Sequence, residues 1–193
     1  MSQRSPEETT HDDKGARTSV LVRSLRQGDQ DAGARLHARF AAALERFCWG
    51  YLRDAGEAED AVQEIHCKVL ATKDIPDSFR PWIYSIARNY CLNVLRAKAR
   101  RMEGGGLPRD SQLYVHHTGH LTRMANQEIG ARVTEAMWSL DEKYREILDL
   151  RYTEGLSRKE ISKVLDIPER LVKTRLFNGI ARLREEAALD TKT

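Results

Sequence analysis

The sequence is poor in aromatic residues and contains no long apolar run. Phe, Trp and Tyr make up 7% of its 193 residues, whereas Asp, Glu, Lys and Arg make up 32%. This balance favours small helical cores over a β-sandwich or a barrel. No stretch approaches the roughly 18 apolar residues of a membrane-spanning helix. The first residues are polar and lack the apolar segment of a signal peptide, so the sequence predicts a soluble, cytoplasmic protein.

Cysteine is scarce, and its spacing is not that of a metal or redox motif. Cys48, Cys67 and Cys91 lie far apart, are odd in number and form no CxxC pair. Each has apolar neighbours in the sequence, which predicts buried free thiols in a reducing compartment.

Signatures of catalysis are also missing. No P-loop, HExxH or Ser/His/Asp pattern occurs. His116, His117 and His120 have a spacing that a metal could use, but no nearby Cys completes a ligand set and the surrounding residues are typical of a linker. The sequence therefore predicts no catalytic residue, no metal, no cofactor and no enzymatic activity.

Helical periodicity predicts an all-α protein with two small domains joined by a flexible linker. The N-terminal module covers residues 18–101 and the C-terminal module covers residues 126–187. A disordered tail is predicted over 1–17, a glycine-containing linker over 102–125 and a short tail over 188–193.

The apolar stripes of the N-terminal module are Val20, Leu21 and Leu25; Leu36, Phe40, Leu44, Phe47 and Tyr51; and Ala61, Val62, Ile65 and Val69. Those of the C-terminal module are Ile129, Val133, Met137 and Leu140; and Tyr144, Ile147, Leu148 and Leu150.

Residues 154–186 have the pattern of a helix-turn-helix. Gly155 ends one helix, and Ser157 with Glu160 forms the S-x-x-E capping box of the next. Asp166-Ile167-Pro168 predicts a turn in which Asp replaces the usual Gly, because Asp tolerates a left-handed conformation. The second helix is predicted to bury Val172, Leu176, Ile180 and Leu183. Its opposite face carries Arg170, Lys173, Thr174, Arg175, Phe177, Asn178 and Arg182, side chains that can read a DNA major groove. The alternative is a helical hairpin with a solvated basic face.

Acidic residues are concentrated in residues 54–64. Glu57 and Glu59 are explained by the dipole at a helix N-terminus, but Glu64 lies beyond the first turn. This helix face could therefore dock a basic partner.

Aromatic residues crowd the start of the stretch "FRPWIYSIARNYCLNVLRAKARR", residues 79–101, and basic residues dominate its end. Phe79, Trp82 and Tyr84 cannot all lie on one side of a helix, because steps of two residues turn by about 200°. Core packing is expected for Trp82 and Ile86, which leaves another ring for a different role. Rings beside cations suit unpaired nucleic-acid strands, since bases stack on the rings and cations hold the backbone.

Three of these segments resemble bacterial sigma factors of the extracytoplasmic-function group. Residues 144–185 resemble the domain that reads the minus-35 element, "EAEDAVQE" resembles the segment that binds the clamp helices of the polymerase largest subunit, and residues 79–101 resemble the region that melts and reads the minus-10 element. One departure is "IHC" at 65–67, where the family often carries an aromatic residue. The resemblance implies that the minus-35 element is contacted by Arg170, Lys173, Thr174, Arg175, Phe177 and Asn178, and that polymerase is docked by Asp60, Gln63 and Glu64. It also implies that Arg88 and Asn89 capture a base of the minus-10 element. Further contacts along the minus-10 DNA are implied for Asn93, Arg96, Lys98, Arg100 and Arg101, beside the rings of Trp82 and Tyr84.

The resemblance implies an alternative sigma factor. Its expected partners are core RNA polymerase, through the clamp helices of the largest subunit and the flap of the second largest, promoter DNA as duplex and as melted non-template strand, and an anti-sigma protein. The alternative is a stand-alone helix-turn-helix regulator, which would bind duplex DNA without polymerase.

Overall fold

The computed structural model describes residues 17–103, 133, 135–137 and 139–189. Within these ranges the chain is helical and has no β-strand. The predicted N-terminal tail and linker lie outside the described residues, except that Arg17 is helical and residues 102 and 103 end a helix. Of the predicted C-terminal tail, residues 188 and 189 are helical and the others lie outside the described residues. The helices are α1 (residues 17–26), α2 (Gln30–Leu52), α3 (Ala55–Ala71), α4 (Phe79–Glu103), α5 (Glu142–Leu148, continued by a π-helical turn Asp149–Thr153), α6 (Arg158–Leu165) and α7 (Glu169–Leu189).

Short polar side chains set the helix starts of the N-terminal module. Gly28 has a φ of +90°, which a residue with a Cβ rarely adopts, and it ends α1. The Asp29 carboxylate accepts hydrogen bonds from the backbone N–H of Asp31 at 3.0 Å and of Ala32 at 3.3 Å. The Asp54 carboxylate caps α3 through the N–H of Glu57 at 2.9 Å. Each cap satisfies donors that a helix leaves unpaired at its N-terminus.

The core of the N-terminal module lies between α2, α3 and α4. The predicted stripe of α2 is buried in full, from Leu36 to Tyr51, and so is the stripe of α3. In α1 the prediction was wrong for Val20, which is 60% exposed, and Val22 is buried instead. The predicted Leu21 and Leu25 do pack against the core and are partly buried.

Two of the three cysteines are buried and one is exposed. Cys48 and Cys91 are buried as predicted, but Cys67 is exposed, because it lies on the solvent side of α3 together with Glu64 and Leu70. A hydrogen bond with the Cys48 thiol, together with burial, raises the pKa of Cys91. The Cys91 thiol is therefore protonated and unreactive at neutral pH.

The C-terminal module has the predicted helix-turn-helix. The hydroxyl of Ser157 accepts from the N–H of Glu160 at 3.2 Å, and the Glu160 carboxylate accepts from the N–H of Ser157 at 2.8 Å, which completes the capping box. Asp166 adopts the left-handed conformation with φ +52°, and α7 begins directly after Pro168. Gly155, with φ +65°, occupies the turn that precedes α6. Most of the predicted apolar positions of this module are buried: Met137, Leu140, Tyr144, Ile147, Leu148, Leu150, Val172 and Leu176. Val133, Ile180 and Leu183 are partly buried, and Ile129 lies outside the described residues.

The two modules pack against each other, mainly through α4 of the first and α6 of the second. Their buried side chains form one continuous hydrophobic cluster. No helix in the described ranges is both long enough and apolar enough to cross a bilayer.

Candidate functional site

The outer face of α7 presents the predicted recognition residues to solvent. Val172 is fully buried and Leu176 nearly so, which fixes the rotation of the helix on its module. Phe177 is 74% exposed, an unusual position for a large apolar ring on a monomer. Of the other predicted minus-35 residues, Arg170, Lys173, Thr174 and Asn178 are exposed and Arg175 is half-buried. All six side chains can therefore reach a ligand in solution.

The acidic residues of α3 form an exposed face. Asp60, Gln63 and Glu64 are all exposed, and steps of three and four residues place them on one side of the helix. Tyr90 of α4 lies beside this face. Burial and the charges of Glu64 and Asp60 raise the pKa of Tyr90. The predicted polymerase-docking side chains thus form one negatively charged surface.

The "IHC" segment is accommodated without an aromatic residue. Ile65 is buried, and the His66 ring lies 4.5 Å from the ring of His37 on α2, measured between centroids. Burial, together with the neighbouring His37, lowers the pKa of His66. A pair of imidazoles therefore joins α2 to α3 at this position.

The second half of α4 carries the exposed polar and basic residues of the predicted minus-10 set. Asn89, Asn93, Arg100 and Arg101 are exposed, whereas Arg96 and Lys98 are half-buried. Arg96 donates to the Asn93 side chain at 3.2 Å, and the Lys98 ammonium pairs with Glu57 of α3 at 2.5 Å. The sequence gives α4 no acid of its own after Asp77 until Glu103, but the fold supplies a partner to Lys98 from the neighbouring helix.

The first half of α4 is covered. Phe79 and Tyr84 are the buried rings, each 2% exposed, whereas Trp82 is half-buried and packs on Phe79 with 5.7 Å between centroids. Trp82 was expected to pack on the core, and its partly buried ring does so at the edge of the core. Ile86 is buried as predicted. Tyr84 is buried between two partners: its ring packs edge-on against Phe47 of α2 at 5.2 Å between centroids, and its hydroxyl donates to Glu154 of the C-terminal module.

Two buried carboxylates of the C-terminal module contact the N-terminal module. Glu146 of α5 accepts from the Arg88 guanidinium at 2.7 Å and from the Tyr51 hydroxyl. Burial lowers the pKa of Arg88, but the Glu146 charge and hydrogen bond outweigh it and raise that pKa overall. Burial and the Glu146 charge raise the pKa of Tyr51 well above its usual value.

Glu154, at the end of the π-helical turn, forms the second contact. Its carboxylate accepts from Arg46 at 3.0 and 3.2 Å and from the Tyr84 hydroxyl at 2.5 Å. Arg80 donates to the backbone carbonyls of Glu154 and Gly155. Burial, with the Glu154 charge, raises the pKa of Tyr84 well above its usual value.

Sequence reasoning did not identify Arg46, Arg80, Glu146 and Glu154 as interacting residues. A signal was present at Glu146, which falls within the apolar stripe between Tyr144 and Ile147. A carboxylate at a core position requires a partner, because an unpaired buried charge is costly. The pattern could not show that the partner belongs to the other module.

No group of three or more potential metal ligands occurs among the described residues. His116, His117 and His120 lie outside them.

Both modules match known protein families at the segments that carry this geometry. Residues 36–101 match the family model for sigma-70 region 2, and residues 131–183 match the model for sigma-70 region 4. The chain is 30% identical over 183 residues to the ECF RNA polymerase sigma-E factor of Escherichia coli (strain K12), covering 90% of this chain and 92% of the relative. The chain belongs to the ECF RNA polymerase sigma factors. It is also 29% identical over 175 residues to the ECF sigma factor SigW of Bacillus subtilis (strain 168), covering 86% of this chain and 94% of that relative.

The fold is shared with a solved structure. CnrH, in complex with the cytosolic domain of CnrY, superposes with a TM-score of 0.61 over 91% of this chain and 98% of CnrH, at 23% identity. As an ECF sigma factor, the protein is an alternative sigma factor that directs transcription initiation with core RNA polymerase at promoter DNA. The two matched regions lie within the two modules predicted from the sequence.

Proposed function

We propose that the sigma factor docks core polymerase through the exposed acidic face of α3. Asp60, Gln63 and Glu64 would contact the clamp helices of the largest subunit. The support is that all three are exposed on one side of α3 and stay clear of the contact between the modules. Charge complementarity of this kind accelerates association and selects the partner.

The α4 helix would capture the melted non-template strand of the minus-10 element. Its exposed Asn89 and Asn93 are followed by cations at each of the next turns, which suits a strand that runs along the helix. Arg88 and Asn89 would hold a flipped base, and Arg96, Lys98, Arg100 and Arg101 would contact the backbone. The half-buried ring of Trp82 lies on the same helix and could stack on an unpaired base, whereas the ring of Tyr84 is buried and would not take this role.

The α7 helix would read the minus-35 element in the major groove. A capped first helix, a left-handed turn residue and a buried apolar stripe together hold its outer face towards solvent. Lys173 and Asn178 offer the donor and acceptor groups that discriminate base pairs, and exposed Phe177 offers an apolar contact for a thymine methyl group. The single observation that carries the proposal is that one chain presents both the exposed recognition face of α7 and the exposed acidic face of α3.

Two further partners belong to the proposal. The C-terminal module would contact the flap of the second-largest polymerase subunit. An anti-sigma protein would hold the factor inactive, by analogy with CnrH, whose structure contains the cytosolic domain of CnrY. The factor would act without a cofactor or catalysis of its own, in the cytoplasm, where polymerase and promoters meet.

The test is run-off transcription on fragmented genomic DNA from the source organism, with its core polymerase. Discrete start sites should appear only when the protein is added. Asp60→Ala should weaken binding to core polymerase, measured by fluorescence anisotropy, whereas Asp74→Ala should leave it unchanged, because Asp74 is exposed in the loop after α3. Asn89→Ala should preserve polymerase binding and reduce strand opening, measured by permanganate footprinting.

A different pattern would assign the protein to another class of regulator. If core polymerase gained no start sites while the protein alone protected duplex DNA, a stand-alone helix-turn-helix regulator would explain the data. If Asp60→Ala and Asp74→Ala weakened polymerase binding equally, the effect would be one of overall charge, and the docking role of α3 would be wrong.

A further inference from the structure

Two opposite charges meet near the start of α3 and the end of α4. The Lys98 ammonium lies 2.5 Å from a carboxylate oxygen of Glu57, and the two side chains are 40% and 34% exposed, respectively. Neither is fully covered, so this ion pair is accessible to a ligand that approaches the second half of α4.

The backbone holds Glu57 beside α4. The N–H of Glu57 donates to the Asp54 carboxylate at 2.9 Å, so the cap that starts α3 fixes this residue without using its side chain. The helices α3 and α4 pack against each other, and Tyr90, about two turns before Lys98, lies near Asp60. The two helices therefore run antiparallel, which brings the last turns of α4 to the first turn of α3.

Other cations at the end of α4 have no such partner. Arg100 and Arg101 are exposed, and neither contacts an acidic side chain that the structure describes. The second half of α4 thus presents full positive charges at these two residues, whereas the charge of Lys98 is already balanced by Glu57.

A balanced cation adds little to the binding of DNA. A protein cation gains affinity for DNA largely by neutralising a phosphate, which then releases its counterions. If the Lys98 ammonium moved from Glu57 to a phosphate, the Glu57 carboxylate would stay beside the DNA as an unpaired anion. It would repel the phosphates and take up a counterion of its own. The net release of ions is therefore close to zero whether Lys98 stays on Glu57 or moves.

We propose that Glu57 limits the strength with which α4 holds promoter DNA, by cancelling the charge of Lys98. The inference rests on the proposed role of α4 in holding the minus-10 strand, and it refines the contribution of one residue to that role. Arg100 and Arg101 would supply contacts that release ions, and Lys98 would add none while Glu57 is present. Glu57 would thus act as a positioning residue that lowers the affinity for DNA of any sequence.

The salt dependence of DNA binding separates this role from a structural one. Holoenzyme is titrated with a fork-junction fragment taken from a start site that run-off transcription identifies. Glu57→Gln should make the plot of log affinity against log salt concentration steeper by about 0.7–0.9, the effect of one additional phosphate contact. Its gain in affinity over the parent protein should shrink by about threefold when the salt concentration rises fourfold. If no start site is found, oligothymidine titrated into the protein without polymerase gives the same slopes.

Two further variants control for charge and for the ammonium group. Glu59→Gln removes the same charge from an exposed position about 200° around α3 from Glu57, so it should leave the slope as in the parent protein. Glu57→Gln combined with Lys98→Met should restore the parent slope, because the additional contact needs the ammonium group. The Asp54 cap binds only the backbone of residue 57, so these variants should keep it, which circular dichroism checks.

The outcomes distinguish this inference from the function on which it rests. Equal slopes for Glu57→Gln and Glu59→Gln, or a steeper slope that persists when Lys98→Met is added, would overturn the role of Glu57. Arg100→Gln tests α4 itself and should flatten the slope. If Arg100→Gln flattened it while Glu57→Gln left it unchanged, the inference alone would fail. If neither substitution changed it, the proposed function of α4 would fail as well.

Discussion

The faces of α4 and α7 that are proposed to contact DNA are in opposite states. On α7 the predicted residues project from a buried stripe into solvent, and Phe177 is the most exposed large apolar residue of the described chain. On the first half of α4, Tyr84 and Arg88 are held by carboxylates of the other module. A recognition surface can thus be ready for its ligand or occupied by part of its own chain, and sequence similarity to a family does not distinguish the two.

The difference has a consequence for how each face tolerates substitution. The exposed residues on the outer face of α7 contribute little to the folded chain, so their removal should affect DNA binding alone. Residues on the covered part of α4 contribute to both folding and the proposed function. Three predictions test this distinction, beginning with the largest expected effect.

Tyr84→Ala should lower the free energy of unfolding by about 3–5 kcal/mol, the range for removing a large buried ring. The ring packs edge-on against Phe47 at 5.2 Å between centroids, and its loss also removes a donor from buried Glu154. Urea unfolding followed by circular dichroism measures the change. Phe177→Ala is the control and should shift stability by no more than about 0.5 kcal/mol. Equal losses in the two variants would contradict the distinction between the covered and exposed faces.

Lys173→Ala should weaken promoter binding by about 1–3 kcal/mol if the side chain reads a base. Lys173 is exposed on α7, so the folded chain should not be affected. The measurement is holoenzyme binding to promoter fragments at several salt concentrations, with Lys73→Ala, at an exposed position in the loop after α3, as a control. A uniform loss across promoter sequences with a flatter salt dependence would indicate a phosphate contact instead. No change in binding would remove Lys173 from the recognition face.

Stability should fall at alkaline pH because of the buried tyrosines. The pKa values of Tyr51 and Tyr84 are raised in the folded chain by burial and by Glu146 and Glu154, respectively. Their stabilising effect is complete below the unfolded pKa of about 10 and is lost as pH rises towards the folded values, by at most about 1.4 kcal/mol per pH unit for each group. Urea unfolding at pH 8–11 should show a shallower decline for Tyr84→Phe than for the parent protein. Parallel curves for the two would mean that Tyr84 ionises equally in the folded and unfolded chains.

Local patterns in the sequence were sufficient for most of the helices. The S-x-x-E capping box, Asp166 in the turn and the four-residue spacing from Leu36 to Tyr51 all have the predicted structure, because caps, turns and helical stripes depend on residues a few positions apart. Where two faces of one helix offered similar patterns, as with Val20 and Val22, the sequence left the choice to tertiary packing. Cys67 was assigned wrongly for the same reason.

The sequence by itself determined the two helical modules, the helix-turn-helix and the acidic and basic character of the proposed interfaces. Only the tertiary structure decided that Glu146 pairs with Arg88, 58 residues away, and that Glu154 meets Arg46, 108 residues away. The physical reason is that periodicity in the sequence indicates which face of a helix is apolar, whereas a charged residue within an apolar stripe indicates only that it needs a partner. Which partner it finds depends on how the two modules pack, and that packing covers the face of α4 proposed to hold DNA.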